Sequence, residues 1–94
     1  MQRKLLYFGS KSCPPCRRIK KEFVDAELVP NLEPEQVHII LCDDNVQLAK
    51  KFHIIHTPTF VLIDEHDDEY ERYIGSVHPS ADEMINWLQG GYYD

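Results

Sequence analysis

The sequence predicts an α/β fold in which one four-stranded mixed sheet carries helices on both faces. Four short runs have the length and composition of strands, and three other stretches carry helix-start signals or apolar residues at helical spacing. Their order along the 94-residue chain is strand, helix, strand, helix, strand, strand, helix. The first two strands are therefore expected to be parallel with a right-handed crossover, and the last two to form an antiparallel hairpin. At this length we expect a single domain, residues 1–94.

The first strand and the first helix meet at a cysteine pair. Lys4–Gly9 predicts a strand buried on both faces, because its apolar residues are consecutive rather than alternating. A loop then leads to a helix that begins near Cys13 and runs to about Ala26, since proline is tolerated in a first helical turn. Ile19, Phe23 and Ala26 follow at helical spacing and are expected to face the core.

The middle of the chain predicts a connection, a strand and a short helix. Prolines interrupt residues 28–36, which we interpret as a connection. Val37–Leu41 predicts a second buried strand. Asp44, with Gln47 three residues later, fits a capping box at the start of the next helix. The apolar face of that helix consists of Leu48, Ala49 and Phe52.

The last third predicts the hairpin and the final helix. A strand, Thr59–Ile63, follows Pro58, and an acidic loop leads to a fourth strand around residues 69–74. Ser80 with Glu83 forms a second capping box, and the helix is expected to end at Gly90-Gly91. Trp87 is expected at the edge of this helix and residues 92–94 as a frayed tail. The apolar stripe of this final helix consists of Ala81, Met84, Ile85 and Leu88.

Charge and composition exclude several classes of function. The net charge is −6, and seven of the ten basic residues lie in the first 21 positions, so we expect no nucleic-acid partner. No apolar run reaches membrane-spanning length, which predicts no membrane association. The first residues lack the pattern of a secretory signal, and three cysteines do not suggest a disulfide-stapled scaffold. These features favour the cytoplasm.

Cys13 and Cys16 stand two residues apart where the first strand turns into the first helix. This pattern indicates a redox dithiol. The alternative is a zinc-ligand pair, but a structural zinc site needs four ligands and the chain has no second cysteine pair. We therefore assign no metal. The third cysteine, Cys42, is interpreted as a small core residue, with a redox-sensing role as the alternative.

Three motifs together resemble the thioredoxin superfamily over nearly the whole chain. They are Cys13-Pro14-Pro15-Cys16 at the start of the first helix, Thr57-Pro58-Thr59 at the third strand, and Gly75 after the fourth. The resemblance implies a thioredoxin fold, a cis proline beside the dithiol, and no cofactor other than the redox-active disulfide of the chain itself. The front half is similar to glutaredoxins and the back half to thioredoxins. The glutathione-binding pattern of glutaredoxins is poorly kept.

The resemblance implies that Cys13 is the nucleophile and Cys16 the resolving thiol. Pro14 and Pro15 have no N–H, so Cys16 offers the first amide to the sulfur of Cys13. The helix N-terminus still favours a thiolate, and we expect a pKa of about 7 and a potential nearer to that of thioredoxin, roughly −270 mV, than to that of DsbA, roughly −120 mV. The other residues expected to tune this pKa or to shape the active-site loop are Lys11, Ser12 and Arg17.

The remaining site residues are expected to bind the substrate. Thr57 is expected to pair through its backbone with an extended substrate segment, Pro58 to shape the groove, and His56 to flank it. Gly75 is expected to permit close backbone approach near the site, with a simple turn glycine as the alternative. The buried aspartate and the lysine that thioredoxins usually carry are replaced by Tyr7 and Ile39. We interpret Tyr7 as core filler rather than as a proton donor, because a phenol has a pKa of about 10. The other histidines are assigned no function.

The sequence therefore predicts a monomeric thiol-disulfide oxidoreductase that reduces protein disulfides. A reductase of the thioredoxin-reductase type, or glutathione, is expected to recycle it. One alternative is a glutaredoxin-like reductase that depends on glutathione, or a carrier of an iron-sulfur cluster. Another is a thioredoxin-fold binding module that is not an enzyme.

Overall fold

The computed structural model describes residues 2–92 and contains one mixed sheet. Its strands are β1 (Lys4–Gly9), β2 (Val37–Leu41), β3 (Thr59–Ile63) and β4 (Glu69–Ile74). The spatial order is β2-β1-β3-β4. β1 is parallel to β2 and antiparallel to β3, and β3 pairs with β4 as an antiparallel hairpin. The predicted topology is confirmed, including the parallel first pair.

Helices cover both faces of this sheet. The helical elements are α1 (Pro14–Ile19), which continues as a π-helical segment (Lys20–Leu28), α2 (Val46–Lys51) and α3 (Ala81–Leu88). Three 3-10 turns, Val29–Asn31, Pro34–Gln36 and Cys42–Asp44, lie between them. None of the helices among residues 2–92 is long and apolar enough to cross a membrane.

Two apolar clusters separate the layers. The larger lies between the sheet and the face covered by the α1–π helix and α3, where Tyr7, Phe23, Phe60 and Trp87 are its largest side chains. The smaller lies under α2 and contains Phe8, Ile40, Val61 and Ile63, with Leu48 packed against it. β1 and β3, in the middle of the sheet, contribute to both clusters. The prediction that β1 is buried on both faces is therefore confirmed.

The first helix is longer than predicted, and its apolar face differs. Ala26 is exposed, whereas Val24 and Leu28 are fully buried. The reason is the π-helical segment, in which the Val29 amide donates to the Val24 carbonyl five residues earlier. This wider turn carries Leu28, rather than Ala26, onto the face that Phe23 occupies. The prediction that Ala26 faces the core was wrong.

The second strand is an edge strand and not a buried one. Ile40 is buried, but His38 and Ile39 are exposed. β2 pairs only with β1 because it stands at the end of the strand order. Its run of apolar residues is therefore not matched by burial on both faces.

The capping box predicted at Asp44 does not form. Asp44 belongs to the 3-10 turn, and Asn45 precedes α2 without a side-chain cap. The Asn45 side-chain amide donates instead to the Leu41 carbonyl at 2.9 Å. Asp44 is drawn away from the helix because its carboxylate accepts a hydrogen bond from the Lys11 ammonium at 3.0 Å.

The final helix begins as predicted. The Ser80 hydroxyl accepts a hydrogen bond from the Glu83 amide at 3.2 Å, and Gly90 has a φ of +104° just after the helix. Trp87, however, is buried rather than at the edge, because its ring lies between Tyr70 and the guanidinium of Arg3. Of the predicted tail, Tyr92 is exposed. Residues 93 and 94 lie outside the described residues.

Candidate active site

The two cysteines of the motif form a disulfide at the start of α1. Cys13 is the N-cap residue, with extended backbone (φ −112°, ψ 100°), and its carbonyl accepts hydrogen bonds from the amides of Cys16 and Arg17. Pro14 and Pro15 occupy the first two helical positions, where the missing amides would have had no helical partner. Cys13 is half-buried and Cys16 is buried, at 3% exposure. Cys13 is thus the more accessible residue of the pair, and its role as the nucleophile stays a prediction.

The Cys13 sulfur has two polar neighbours. The Cys16 amide donates to it at 3.2 Å, as predicted for the first residue after the two prolines that has an N–H. The Thr57 carbonyl oxygen lies 3.7 Å from the same sulfur. The amide stabilises negative charge on the sulfur, whereas the carbonyl dipole opposes it and becomes an acceptor when Cys13 is a thiol.

The Thr57-Pro58 peptide bond is cis and lies beside the dithiol. The Thr59 hydroxyl donates to the His56 carbonyl at 2.6 Å, and the Gly75 amide donates to the Pro58 carbonyl at 2.8 Å. These bonds hold the segment before β3 on both sides. The His56 side chain is exposed.

Gly75 is required by its backbone conformation rather than by a close approach. Its φ of +78° disfavours residues with a Cβ, but an added Cβ would meet no atom within 4 Å. The structure therefore supports the interpretation of Gly75 as a turn glycine. The turn nevertheless brings its amide to Pro58, so Gly75 borders the dithiol site.

The loop before Cys13 is tied to the turn that follows β2. The Lys11 amide donates to the Asp43 carboxylate at 3.1 Å, and the Lys11 ammonium pairs with Asp44 at 3.0 Å. The hydrogen bond from the Lys11 amide is the main cause that lowers the pKa of the Asp43 carboxyl. Arg17 donates to the Lys11 carbonyl at 3.1 Å, and the Ser12 amide to the Ser10 hydroxyl at 3.4 Å.

These contacts define what the predicted tuning residues do in the fold. The Lys11 ammonium is paired with Asp44 in the turn after β2, and the Arg17 guanidinium donates to the Lys11 carbonyl, so both cations have partners other than the Cys13 sulfur. Asp43 and Asp44 were missed as site residues. Their signal in the sequence was two acidic residues shortly after a strand, of which Asp44 was interpreted as the start of a capping box.

Tyr7 lies beneath the resolving cysteine. It is 1% exposed, and its hydroxyl donates to the Cys16 carbonyl at 2.8 Å. Burial, with a smaller contribution from Asp25, raises the pKa of Tyr7 from 10 to about 12. Tyr7 is thus part of the core, as predicted, but it also contacts the active-site helix. It pairs in register with Ile39 of β2.

The remaining cysteine and histidines lie outside this arrangement. Cys42 is half-buried against the smaller cluster, and burial followed by the charge of Asp43 raises its thiol pKa, as suits a packing role. His78 packs against Phe23, with ring centroids 4.2 Å apart. Within residues 2–92, no three side chains of the histidine, cysteine, aspartate and glutamate types come together in a group that could hold a metal ion.

Solved structures with the same fold are numerous, and they include thioredoxins from Fasciola hepatica and Schistosoma mansoni. The thioredoxin of Fasciola hepatica is 27% identical, with a TM-score of 0.71, over 93% of this chain and 81% of that one. The reduced thioredoxin pre-protein of Schistosoma mansoni is 20% identical, with a TM-score of 0.75, over 93% and 79%.

A third similar structure comes from a bacterium. It is the oxidised C-terminal domain of DsbD from Neisseria meningitidis, 19% identical with a TM-score of 0.68, over 94% of this chain and 78% of that one. A comparison with curated protein sequences finds no match.

The sequence itself matches a family model. The model describes a thioredoxin-like domain, and the match covers residues 1–91. The family, the fold and the paired cysteines agree with the expectation from the sequence motifs. The chain therefore belongs to the thioredoxin-like family within the thioredoxin superfamily, and its Cys13–Cys16 pair supports a thiol-disulfide oxidoreductase.

Proposed function

We propose that the protein reduces disulfide bonds of other proteins and acts as a monomer in the cytoplasm. The observation that carries this proposal is the position of Cys13, a half-buried sulfur at a helix N-terminus beside the cis Thr57-Pro58 peptide, with Cys16 buried one turn behind it. An accessible nucleophile and a sheltered resolving thiol are what disulfide exchange in two steps requires.

In the first step, the Cys13 thiolate attacks one sulfur of the substrate disulfide. The S–S bond of the substrate breaks, a mixed disulfide forms, and the other substrate sulfur leaves as a thiolate. In the second step, the Cys16 thiolate attacks Cys13, which forms the Cys13–Cys16 disulfide and releases the second substrate thiolate. Two electrons pass from the dithiol to the substrate, and the two protons of the dithiol balance the two substrate thiols formed.

The substrate is proposed to bind in an extended conformation at Thr57. The Thr57 carbonyl lies 3.7 Å from the Cys13 sulfur. The backbone on either side of Thr57 is held by the bond from the Thr59 hydroxyl to the His56 carbonyl and by the bond from the Gly75 amide to the Pro58 carbonyl. A backbone segment that is fixed next to the nucleophile supports strand-like pairing with the backbone of an extended substrate. The exposed His56 side chain is proposed to contact the residues that flank the substrate cysteine.

The test is reduction of insulin disulfides with two regenerating systems, thioredoxin reductase with NADPH and glutathione with glutathione reductase. We expect turnover with the first system, loss of turnover in Cys13→Ser, and no loss in Cys42→Ser. Turnover with the glutathione system but not with thioredoxin reductase would favour the glutaredoxin-like alternative. Activity with neither regenerating system would favour a binding module. Equilibration with glutathione is expected to give a potential nearer to roughly −270 mV than to roughly −120 mV.

A further inference from the structure

The carbonyl of the resolving cysteine receives a hydrogen bond from outside its helix. The Tyr7 hydroxyl donates to the Cys16 carbonyl at 2.8 Å, and both partners are buried. The same carbonyl also accepts from the Lys20 amide, which is shared with the Arg17 carbonyl. Lys20 is the residue at which the helix passes from α to π geometry. The Lys20 amide divides its hydrogen bond between two carbonyls, so its bond to the Cys16 carbonyl is weakened. The Tyr7 hydroxyl therefore donates to a carbonyl that is only weakly bonded within its own helix.

Gly9 allows this approach. A Cβ at Gly9 would lie 3.3 Å from the Tyr7 ring, 3.5 Å from its hydroxyl oxygen and 3.6 Å from the Cys16 Cβ. The tyrosine ring, the glycine and the resolving cysteine therefore pack side by side. A cavity of about 40 Å³ borders Tyr7, Gly9 and Cys16. This space would let the first turn of the helix shift if the hydroxyl anchor were absent.

We infer that Tyr7 is a positioning residue for the second step of exchange, because its hydroxyl holds Cys16 where the sulfur can attack Cys13. This role rests on the proposed function. The Cys16 amide donates to the Cys13 sulfur and the Cys16 carbonyl is bound by Tyr7, so both backbone groups of the resolving cysteine are fixed. In the mixed disulfide, the Cys16 thiolate displaces the substrate sulfur from Cys13. The proton given up by Cys16 balances the one taken up by the leaving thiolate.

The geometry favours positioning over proton transfer. The Tyr7 hydroxyl points at a carbonyl oxygen, so its proton is committed to a group that is not an acid or a base in the reaction. A phenol with a pKa of about 12 is also a weak acid toward a thiolate whose ordinary pKa is about 8.5. The expected effect is therefore on the rate at which Cys16 finds Cys13, and not on the first attack.

The two steps of exchange can be measured separately in a single turnover of the reduced protein. The substrate is a symmetric aromatic disulfide whose two halves each absorb visible light once they are released as thiolates. The first thiolate is released when Cys13 attacks and the second when Cys16 resolves the mixed disulfide. In Tyr7→Phe we expect the second phase to slow by about fivefold, the effect of losing one hydrogen bond, while the first phase changes by less than about twofold. In Gly9→Ala, which crowds the Tyr7 ring, we expect the second phase to slow as well.

Tyr92→Phe removes a hydroxyl from an exposed ring and is expected to leave both phases unchanged. In a Cys16→Ser background, the attack phase is expected to be the same with and without the Tyr7→Phe substitution. An unchanged second phase in Tyr7→Phe, whatever the result for Gly9→Ala, or equal slowing of both phases, would overturn the positioning role. Failure of the wild-type protein to release either thiolate would overturn the proposed function itself.

Discussion

The Cys13 sulfur caps the N-terminus of α1. The two prolines that follow Cys13 have no N–H, so the first two helical positions offer no hydrogen-bond donor to this sulfur. An N-cap side chain accepts from the second or third helical residue, which here are Pro15 and Cys16. Only Cys16 has an N–H, and it donates to the sulfur at 3.2 Å. The Cys13 thiolate therefore accepts one hydrogen bond from the helix N-terminus, although the second and third helical positions both lie within reach of it.

Pro15→Ala restores an amide at the second helical position. We expect the pKa of Cys13 to fall by about one unit, because a hydrogen bond to a charged group contributes about 1.5–3 kcal/mol and one unit equals about 1.4 kcal/mol. Thiolate absorbance during a pH titration of the Cys16→Ser protein measures it. Pro14→Ala is the matched control, since the first helical amide does not reach an N-cap side chain. Equal shifts in both variants would contradict this account.

Tyr7 is expected to make stability depend on pH in the alkaline range. Its pKa is raised in the folded protein, from 10 to about 12, because burial disfavours the phenolate. The stabilisation is fully present below pH 10 and is lost as the pH rises from 10 toward 12, because the unfolded state releases its proton first.

Urea unfolding of wild-type protein and Tyr7→Phe at pH 9 and pH 11 tests this expectation. From pH 9 to pH 11, the urea concentration at the unfolding midpoint should fall more for the wild-type protein than for Tyr7→Phe. The variant has no proton to release at this site. Parallel falls in the two proteins would show that other groups, such as the cysteine thiols, account for the alkaline loss.

At the scale of elements, a side chain of the hairpin adds a polar contact to the apolar packing of α2 against the sheet. Arg72 of β4 donates to the Phe52 carbonyl at the end of α2 at 2.8 Å, and it pairs with Glu69 through two bonds of 2.7 and 2.8 Å. The hydrogen bond from Arg72 lowers the pKa of Glu69. A helix of six residues has little stability of its own, so such tertiary contacts determine whether it forms.

Arg72→Met is expected to lower the free energy of unfolding by about 1–3 kcal/mol, because the bond to Phe52 and the ion pair are both lost. Glu69→Gln removes only the ion pair, which is partly exposed, and is expected to cost about 0–1 kcal/mol. Urea unfolding of both variants measures the two contributions. Similar losses would mean that the ion pair, rather than the bond to α2, accounts for the effect.

At the scale of the whole molecule, Arg3 joins the start of β1 to the end of the chain. It is 5% exposed, and its guanidinium donates to the carbonyls of Trp87 at 2.7 Å and Gly91 at 2.6 Å. It also pairs with Glu65, between β3 and β4, at 3.1 Å and lies 4.5 Å from the centre of the Trp87 ring. One buried cation therefore links three parts of the fold that are far apart in sequence.

Arg3→Met is expected to lower the free energy of unfolding by about 2–4 kcal/mol, since one buried and one partly buried carbonyl lose a charged donor. Arg3→Lys should recover only part of this, because an ammonium lacks the planar set of donors. The control is Arg18→Met at an exposed helical position, with an expected change within about 0.5 kcal/mol. Losses of the same size at positions 3 and 18, measured by urea unfolding, would contradict the linking role.

Features that depend on local chemistry could be predicted from the amino-acid order alone. The bounds of β1, β2 and β3 follow from apolar runs and flanking turn residues, and the Ser80 cap follows from a hydroxyl three residues before an acidic side chain. The dithiol could also be predicted, because a Cys-x-x-Cys motif at a helix N-terminus fixes which sulfur is outside and which is inside. The lack of amides at Pro14 and Pro15 needs no structure to be recognised.

Contacts between residues far apart in the chain became known only from the folded arrangement. The bond from Lys11 to Asp44 spans 33 positions, and it engages the carboxylate that was predicted to cap α2. The burial of Val37–Leu41 depends on its place at the sheet edge, which no pattern within the strand encodes. Tyr7 could be recognised as a core residue, but not as the donor to Cys16, because that contact requires the glycine, the strand and the wider helical turn to meet at one point.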